Sequence, residues 1–179
     1  MMLRLPPTIG VALDASQLTL RGPLGELHVD LRQHDRRGAC FVRLETGEDG
    51  AQALTLGTSH PKPTMVLHAL RALLRQYVTG LTQGFLCTLE LVGVGYKVLH
   101  HGDRLEVKVG FSHPIEVRLP SDVHVLLPKP TLVCVFGVDP KRVAQLAADL
   151  QALKWPDAYK GKGFRRKDLP LRLKEGKKK

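Results

Sequence analysis

Aromatic side chains are scarce, 5% of 179 residues, so any core is built mainly from Leu and Val. Cysteine is scarcer still. Cys40, Cys87 and Cys134 are an odd, scattered set with no Cys-x-x-Cys pair, which argues against a disulfide framework and a structural zinc site and suggests a reducing compartment. No apolar run is long enough to cross a bilayer. The start, Met1-Met2-Leu3-Arg4-Leu5-Pro6-Pro7, is broken by proline too early for a secretory signal. Acid is in deficit, and the deficit is local. From Lys154 to Lys179 eleven Lys or Arg face three acids, a net of +8, while residues 1–153 hold sixteen against fourteen, only +2 of the total +10.

Catalytic signatures are missing as well. No Walker-type phosphate loop occurs. Gly93-Val94-Gly95-Tyr96 opens like a dinucleotide fingerprint but has no third glycine and runs into strand-like residues, so it reads as a bend or bulge. Ser59-His60 and Ser112-His113 sit beside prolines without a nucleophile-elbow motif. His100 and His101 are adjacent, so on a strand they point to opposite faces and make a poor metal pair. The expectation is a protein that is not an enzyme and has no metal, cofactor or small-molecule substrate.

What is present is a repeated grammar. Leu18 and Leu20 alternate with polar residues, Gly22-Pro23-Leu24-Gly25 turns, and Leu27, Val29 and Leu31 alternate on the return. Residues 40–45 and 52–56 form a second strand pair around the turn-rich 46–50. Leu67, Leu70, Leu74, Val78 and Leu81 then make a helical stripe, with Thr64 as its N-cap and Gly80 as its stop.

The second half repeats this. Strands are expected at 85–91, 96–99, 105–109 and 115–119, with a continuous apolar run at 131–136 as a central buried strand. Asp139-Pro140 opens a helix striped by Val143, Leu146, Ala147, Leu150 and Leu153, ended by Trp155-Pro156. The sequence therefore predicts an α+β fold of two similar tandem domains, each a small antiparallel sheet packed with one helix. The domains span 1–82 and 83–155, and a basic extension covers 156–179.

That extension carries the functional signal. In Pro156-Asp157-Ala158-Tyr159-Lys160-Gly161-Lys162-Gly163-Phe164-Arg165-Arg166, lysines sit between glycines and beside two aromatics. Glycines permit close backbone approach and unusual turns, and Tyr159 and Phe164 offer faces to stack on a base or sugar. Basic groups that release counterions from phosphates, interleaved with aromatics, are the footprint of a nucleic-acid binder. With no amphipathic apolar face beside the basic run, a membrane surface is the weaker partner. A tail of this composition is expected to be disordered until RNA orders it.

Several stretches together resemble the universal large-ribosomal-subunit protein six family. They are Gly22-Pro23-Leu24-Gly25-Glu26-Leu27, Leu91-Val92-Gly93-Val94-Gly95-Tyr96-Lys97, Gly110-Phe111-Ser112-His113-Pro114, Pro156 to Gly163, and Lys174-Glu175-Gly176-Lys177-Lys178. The resemblance implies two similar domains in a structural constituent of the large ribosomal subunit. It implies docking on large-subunit rRNA near the sarcin–ricin loop and stalk base, with neighbouring ribosomal proteins in contact and translational GTPases close by. Tyr159, Lys160, Gly161, Lys162 and Gly163 would form the contact loop. Phe164, Arg165, Arg166, Lys167, Arg172, Lys174 and Lys177 would extend it, and Gly93, Gly95, Lys97, Ser112 and His113 would be further loop contacts. Bacterial members usually begin with a basic segment like Ser-Arg-Ile-Gly-Lys. The different start here tilts the expected source toward a mitochondrial matrix over a chloroplast stroma or bacterial cytoplasm. The rival readings are a free RNA-binding or regulatory protein that shares the fold and, behind it, a small phosphate-handling enzyme.

Overall fold

Among the described residues, alternation with period two builds thirteen strands, and two stretches of period 3.6 build the longer helices. The structure, a computed structural model, describes residues 1–14, 16–35, 38, 40–46, 52–59 and 65–176. The chain divides into two compact units, Met1–Gly84 and Phe85–Lys179.

The first unit runs β1 (Met2–Arg4), β2 (Gly10–Asp14), β3 (Gln17–Gly22), β4 (Gly25–Asp30), a single helical turn α1 (Leu31–His34), β5 (Cys40–Thr46), β6 (Gln52–Thr58) and α2 (Met65–Thr82). Its antiparallel sheets have the orders β2-β3-β4 and β1-β6-β5. Leu18 and Leu20 of β3 and Leu54 and Leu56 of β6 are fully buried, as the alternation requires. Leu67, Leu70, Leu74, Tyr77 and Leu81 bury the helix stripe. The hairpin turn between β3 and β4 rests on the end of α2: a Cβ at Gly22 would stand 2.7 Å from the Leu81 Cβ.

The second unit repeats the plan with β7 (Phe85–Val92), β8 (Lys97–His101), β9 (Arg104–Lys108), β10 (Ile115–Arg118), β11 (Val123–Lys129), β12 (Leu132–Gly137) and α3 (Pro140–Leu153). Sheet order β8-β9-β10 matches β2-β3-β4, and β7-β12-β11 matches β1-β6-β5. One strand has no counterpart among the described residues of the first unit. β13 (Gly163–Arg166) adds to the outer edge of β7, giving the order β11-β12-β7-β13. Its core gathers Leu89, Leu91, Val98, Leu105, Val107, Val133 and Val135 under the α3 residues Val143, Leu146, Ala147 and Leu150. Each of these larger side chains contributes roughly 1.5–3 kcal/mol on burial.

The α+β class and the sheet-plus-helix plan hold in both units. Asp139 caps α3 as expected, its carboxylate accepting from the Lys141 N–H at 2.9 Å, with Pro140 at the first helical position. Gly80 does not stop α2. It lies buried within the helix, and Gly84 takes the left-handed conformation beyond the end, its N–H donating to the Gly80 carbonyl at 2.9 Å. Tyr96 precedes β8 rather than opening it. The run at 132–137 is fully buried on one face and half-buried on the other. Thr64, the residues 47–50 of the expected turn, His60 and Lys177 lie outside the described residues.

Candidate nucleic-acid interface

Pairing register places three turns at one end of the second unit. β7 ends at Val92 opposite Gly163, the first residue of β13. β8 begins at Lys97 opposite Lys108, the last residue of β9. The turn 93–96, the loop 109–114 and the segment 154–162 between α3 and β13 therefore leave the same edge. Side chains tie them together. The Tyr96 ring lies against two glycines: a Cβ at Gly93 would collide with its Cδ2, and one at Gly110 would stand 3.2 Å from its Cε1. The Lys154 ammonium sits over the Phe111 ring, 5.6 Å from its centroid.

The segment 154–163 is itself a closed loop. The Phe164 N–H donates to the Lys154 carbonyl and the Asp157 N–H to the Lys162 carbonyl, each at 2.9 Å. At the turn, the Gly161 N–H donates to the Asp157 carbonyl at 2.9 Å and the Lys160 N–H to the Asp157 carboxylate at 2.9 Å. Backbone N–H donors, that of Lys160 first, hold the Asp157 carboxyl below its ordinary range. Gly161 has φ +66 and Gly163 φ +136, and a Cβ at Gly163 would meet the Trp155 carbonyl oxygen at 2.6 Å. Both glycines are buried, so the backbone they admit is the chain's own. Beyond β13 the chain folds back. The Lys174 N–H donates to the Ala158 carbonyl at 2.9 Å, and Leu173 and Leu171 stand 3.2 and 3.5 Å from where a Gly161 Cβ would be.

The expected site residues separate into two groups. Tyr159, 57% exposed, stands on the loop with exposed Lys160 and Lys162, beside exposed Gly95, Lys97, Ser112 and His113 and half-buried Gly93. Arg172 and Lys174 are exposed on the returning segment. Phe164 differs from its expected stacking role. It is fully buried in the cluster that holds Leu89, Leu91, Val107 and Leu150, because β13 pairs with β7, Phe164 opposite Leu91, and so carries the ring into the core. Arg165 and Arg166 are half-buried along β7, Arg165 facing the Glu90 carboxylate at 3.7 Å, while the Nε of each has no hydrogen-bond partner. Lys167 is exposed, its N–H donating to the Thr88 carbonyl at 2.9 Å. Gly163–Arg166 is thus built into the sheet, and the segment beyond it is tied back to the turn at Lys174.

Sequence reading missed Lys154 as a member of this surface, while Val94 and Phe111 lie within the two loops it pointed to. Val94 is 93% exposed between Gly93 and Gly95, and Lys154 reaches the patch from the end of α3. Lys108 also arrives at this edge, but its ammonium is held 2.8 Å from the Glu106 carboxylate, which is lowered from its ordinary range chiefly by that hydrogen bond. Among the described residues no group of His, Cys, Asp or Glu is arranged to hold a metal, and no helix is long and apolar enough to cross a membrane. Cys87 and Cys134 are half-buried free thiols, and burial pushes the Cys87 thiol up.

Comparison with known proteins bears on the same region. The family model for ribosomal protein L6 matches residues 92–167, from the 93–96 turn through β13. A large ribosomal subunit protein uL6 of Metamycoplasma arthritidis is 36% identical over 177 residues, covering 98% of this chain and 94% of the relative. The chain belongs to the ribosomal protein L6 family. Proteins of the same name from Acidothermus cellulolyticus (38% identical, 96% of this chain, 92% of theirs) and a Janthinobacterium species (36%, 100% and 97%) match equally broadly. The family is structural and non-enzymatic, which removes the phosphate-handling enzyme as a rival. These relatives are bacterial, so they give a mitochondrial source no preference over the bacterial cytoplasm.

Proposed function

We propose that this chain, a structural constituent of the large ribosomal subunit, docks on large-subunit rRNA through the three-loop end of its second unit. The observation that carries the reading is that exposed Lys97, Lys160, Lys162 and Tyr159 all stand on loops leaving this end, with the 154–163 loop closed by the hydrogen bonds of Asp157 and Phe164. The lysine ammonium groups neutralise phosphates and release counterions, and such contacts read backbone shape rather than a base code. Tyr159 supplies a stacking face, and Lys167, Arg172 and Lys174 extend the positive surface along the returning segment. By family resemblance the docking site is near the sarcin–ricin loop and stalk base. There the protein supports assembly and the region where translational GTPases bind, with neighbouring ribosomal proteins against other surfaces.

The test is co-sedimentation of the tagged full chain with large subunits across stepped salt, compared with the double variant Lys160→Ala/Lys162→Ala. Each lost phosphate contact lowers the salt slope by about 0.7–0.9, so the double variant should leave the subunit at lower salt with a slope smaller by roughly 1.5. Retention identical to the unmodified chain places the interface elsewhere. A chain that stays ribosome-free at every salt favours the free regulator. Truncation at Trp155 is unsuitable, because it also removes Phe164 from the core and β13 from the sheet.

A further inference from the structure

Asp157 is the single acid between Pro156 and Lys167, and it stands exposed within the proposed RNA-binding loop. A carboxylate there repels phosphate, so by charge alone its removal tightens RNA binding. The geometry points to the opposite: we propose that Asp157 is a positioning residue, whose carboxylate and backbone fix the loop that aims Tyr159, Lys160 and Lys162 at RNA. The inference rests on the RNA-docking reading above and names what holds its surface in place.

Three hydrogen bonds carry it. The carboxylate accepts from the Lys160 N–H, the carbonyl accepts from the Gly161 N–H, and the Asp157 N–H closes the loop onto the Lys162 carbonyl, all at 2.9 Å. A short acid that accepts backbone N–H donors two or three residues on is the device that stabilises tight turns and helix starts. The N–H groups of Tyr159 and Ala158 also favour the ionised carboxylate. Consecutive N–H groups of this kind can cradle an anion. Here they are turned toward the chain's own carboxylate, so recognition of phosphate falls to the lysine side chains. The other side of the loop is covered by Leu171 and Leu173 and by the Lys174-to-Ala158 hydrogen bond. Asp157 is the only polar side chain joining the turn from within, among the hydrogen bonds of the described residues.

The two effects of Asp157 have opposite signs, so a variant series separates them. Binding of the full chain to protein-free bacterial large-subunit rRNA would be measured at one fixed salt. Asn keeps an acceptor oxygen and loses the charge, so Asp157→Asn should bind at least as tightly as the unmodified chain. Asp157→Ala loses both, and positioning predicts binding weaker by about fivefold, within the range set by loss of a capping side chain. Asp157→Ala binding as tightly as Asp157→Asn, or tighter, overturns the proposal. Amide exchange of the unmodified, RNA-free chain is the check that needs no variant: the Lys160 N–H should be protected, and free exchange in an otherwise folded chain also overturns it. Lys160→Ala/Lys162→Ala runs alongside. If that variant binds like the unmodified chain, the RNA-docking reading fails and this inference with it. If it weakens binding while Asp157→Ala does not, the interface stands and the positioning role alone is lost.

Discussion

Replacing Phe164 with alanine distinguishes a side chain that holds the protein from one that holds RNA. Its ring is fully buried beneath α3, in contact with the cluster that includes Leu89, Leu91, Val107, Ala147 and Leu150. Phe-to-Ala changes at such sites cost about 3–5 kcal/mol, the transfer term plus the cavity left behind. For a unit of about 100 residues, each kcal/mol lowers the melting midpoint by roughly 4–8 °C, so the transition of the second unit should fall by roughly 15 °C or more. Calorimetry or circular dichroism on the full chain reads this without RNA. Phe164→Leu, which keeps most of the volume, should lose much less. Tyr159→Ala is the matched control. Its side chain is mostly exposed, so stability should stay within about 0.5 kcal/mol while rRNA affinity falls. A Phe164→Ala chain that melts within about 3 °C of the unmodified one, yet loses rRNA binding, would refute the core assignment and restore the ring to the RNA face.

Gly163→Ala should destabilise the second unit by about 2 kcal/mol or more, since φ +136 is strained for alanine and the new Cβ meets the Trp155 carbonyl; thermal melts check it. Because the Asp157 carboxyl is held below its ordinary value, its contribution to loop order is fully present above the usual aspartate range and disappears as pH falls through the lowered value. Carboxyl carbon shifts followed by pH should show Asp157 titrating below the ordinary aspartate range, and a midpoint within that range would count against the carboxylate's hydrogen bonds.

Much of the fold is written locally. Leu18 and Leu20, or Leu105 and Val107, alternate strictly enough to assign a strand and its buried face without neighbours. Asp139-Pro140 states a helix start in two residues. Other elements depend on partners the local sequence does not name. β1 is three residues long and exists because β6 pairs with it, and Gly163–Arg166 reads as a basic glycine turn until β7 offers an open edge. Gly80 looks like a helix stop but is buried inside α2, where packing outweighs its poor propensity.

The candidate interface divides the same way. Charge excess, the Tyr-Lys-Gly-Lys-Gly order and the family likeness are properties of the chain as a string, and they point to RNA before any folding is considered. Which residues face that RNA is decided by sheet registry and alternation. Registry gathers loops distant in sequence at one end and brings in Lys154 from a helix end; pairing of β13 with β7 sends Phe164 inward, while the turn before it leaves Tyr159 outside. Composition fixes how much charge and how many rings are available. Only pairing between distant strands determines which of them reach the surface, because burial is a property of neighbours and not of residue type.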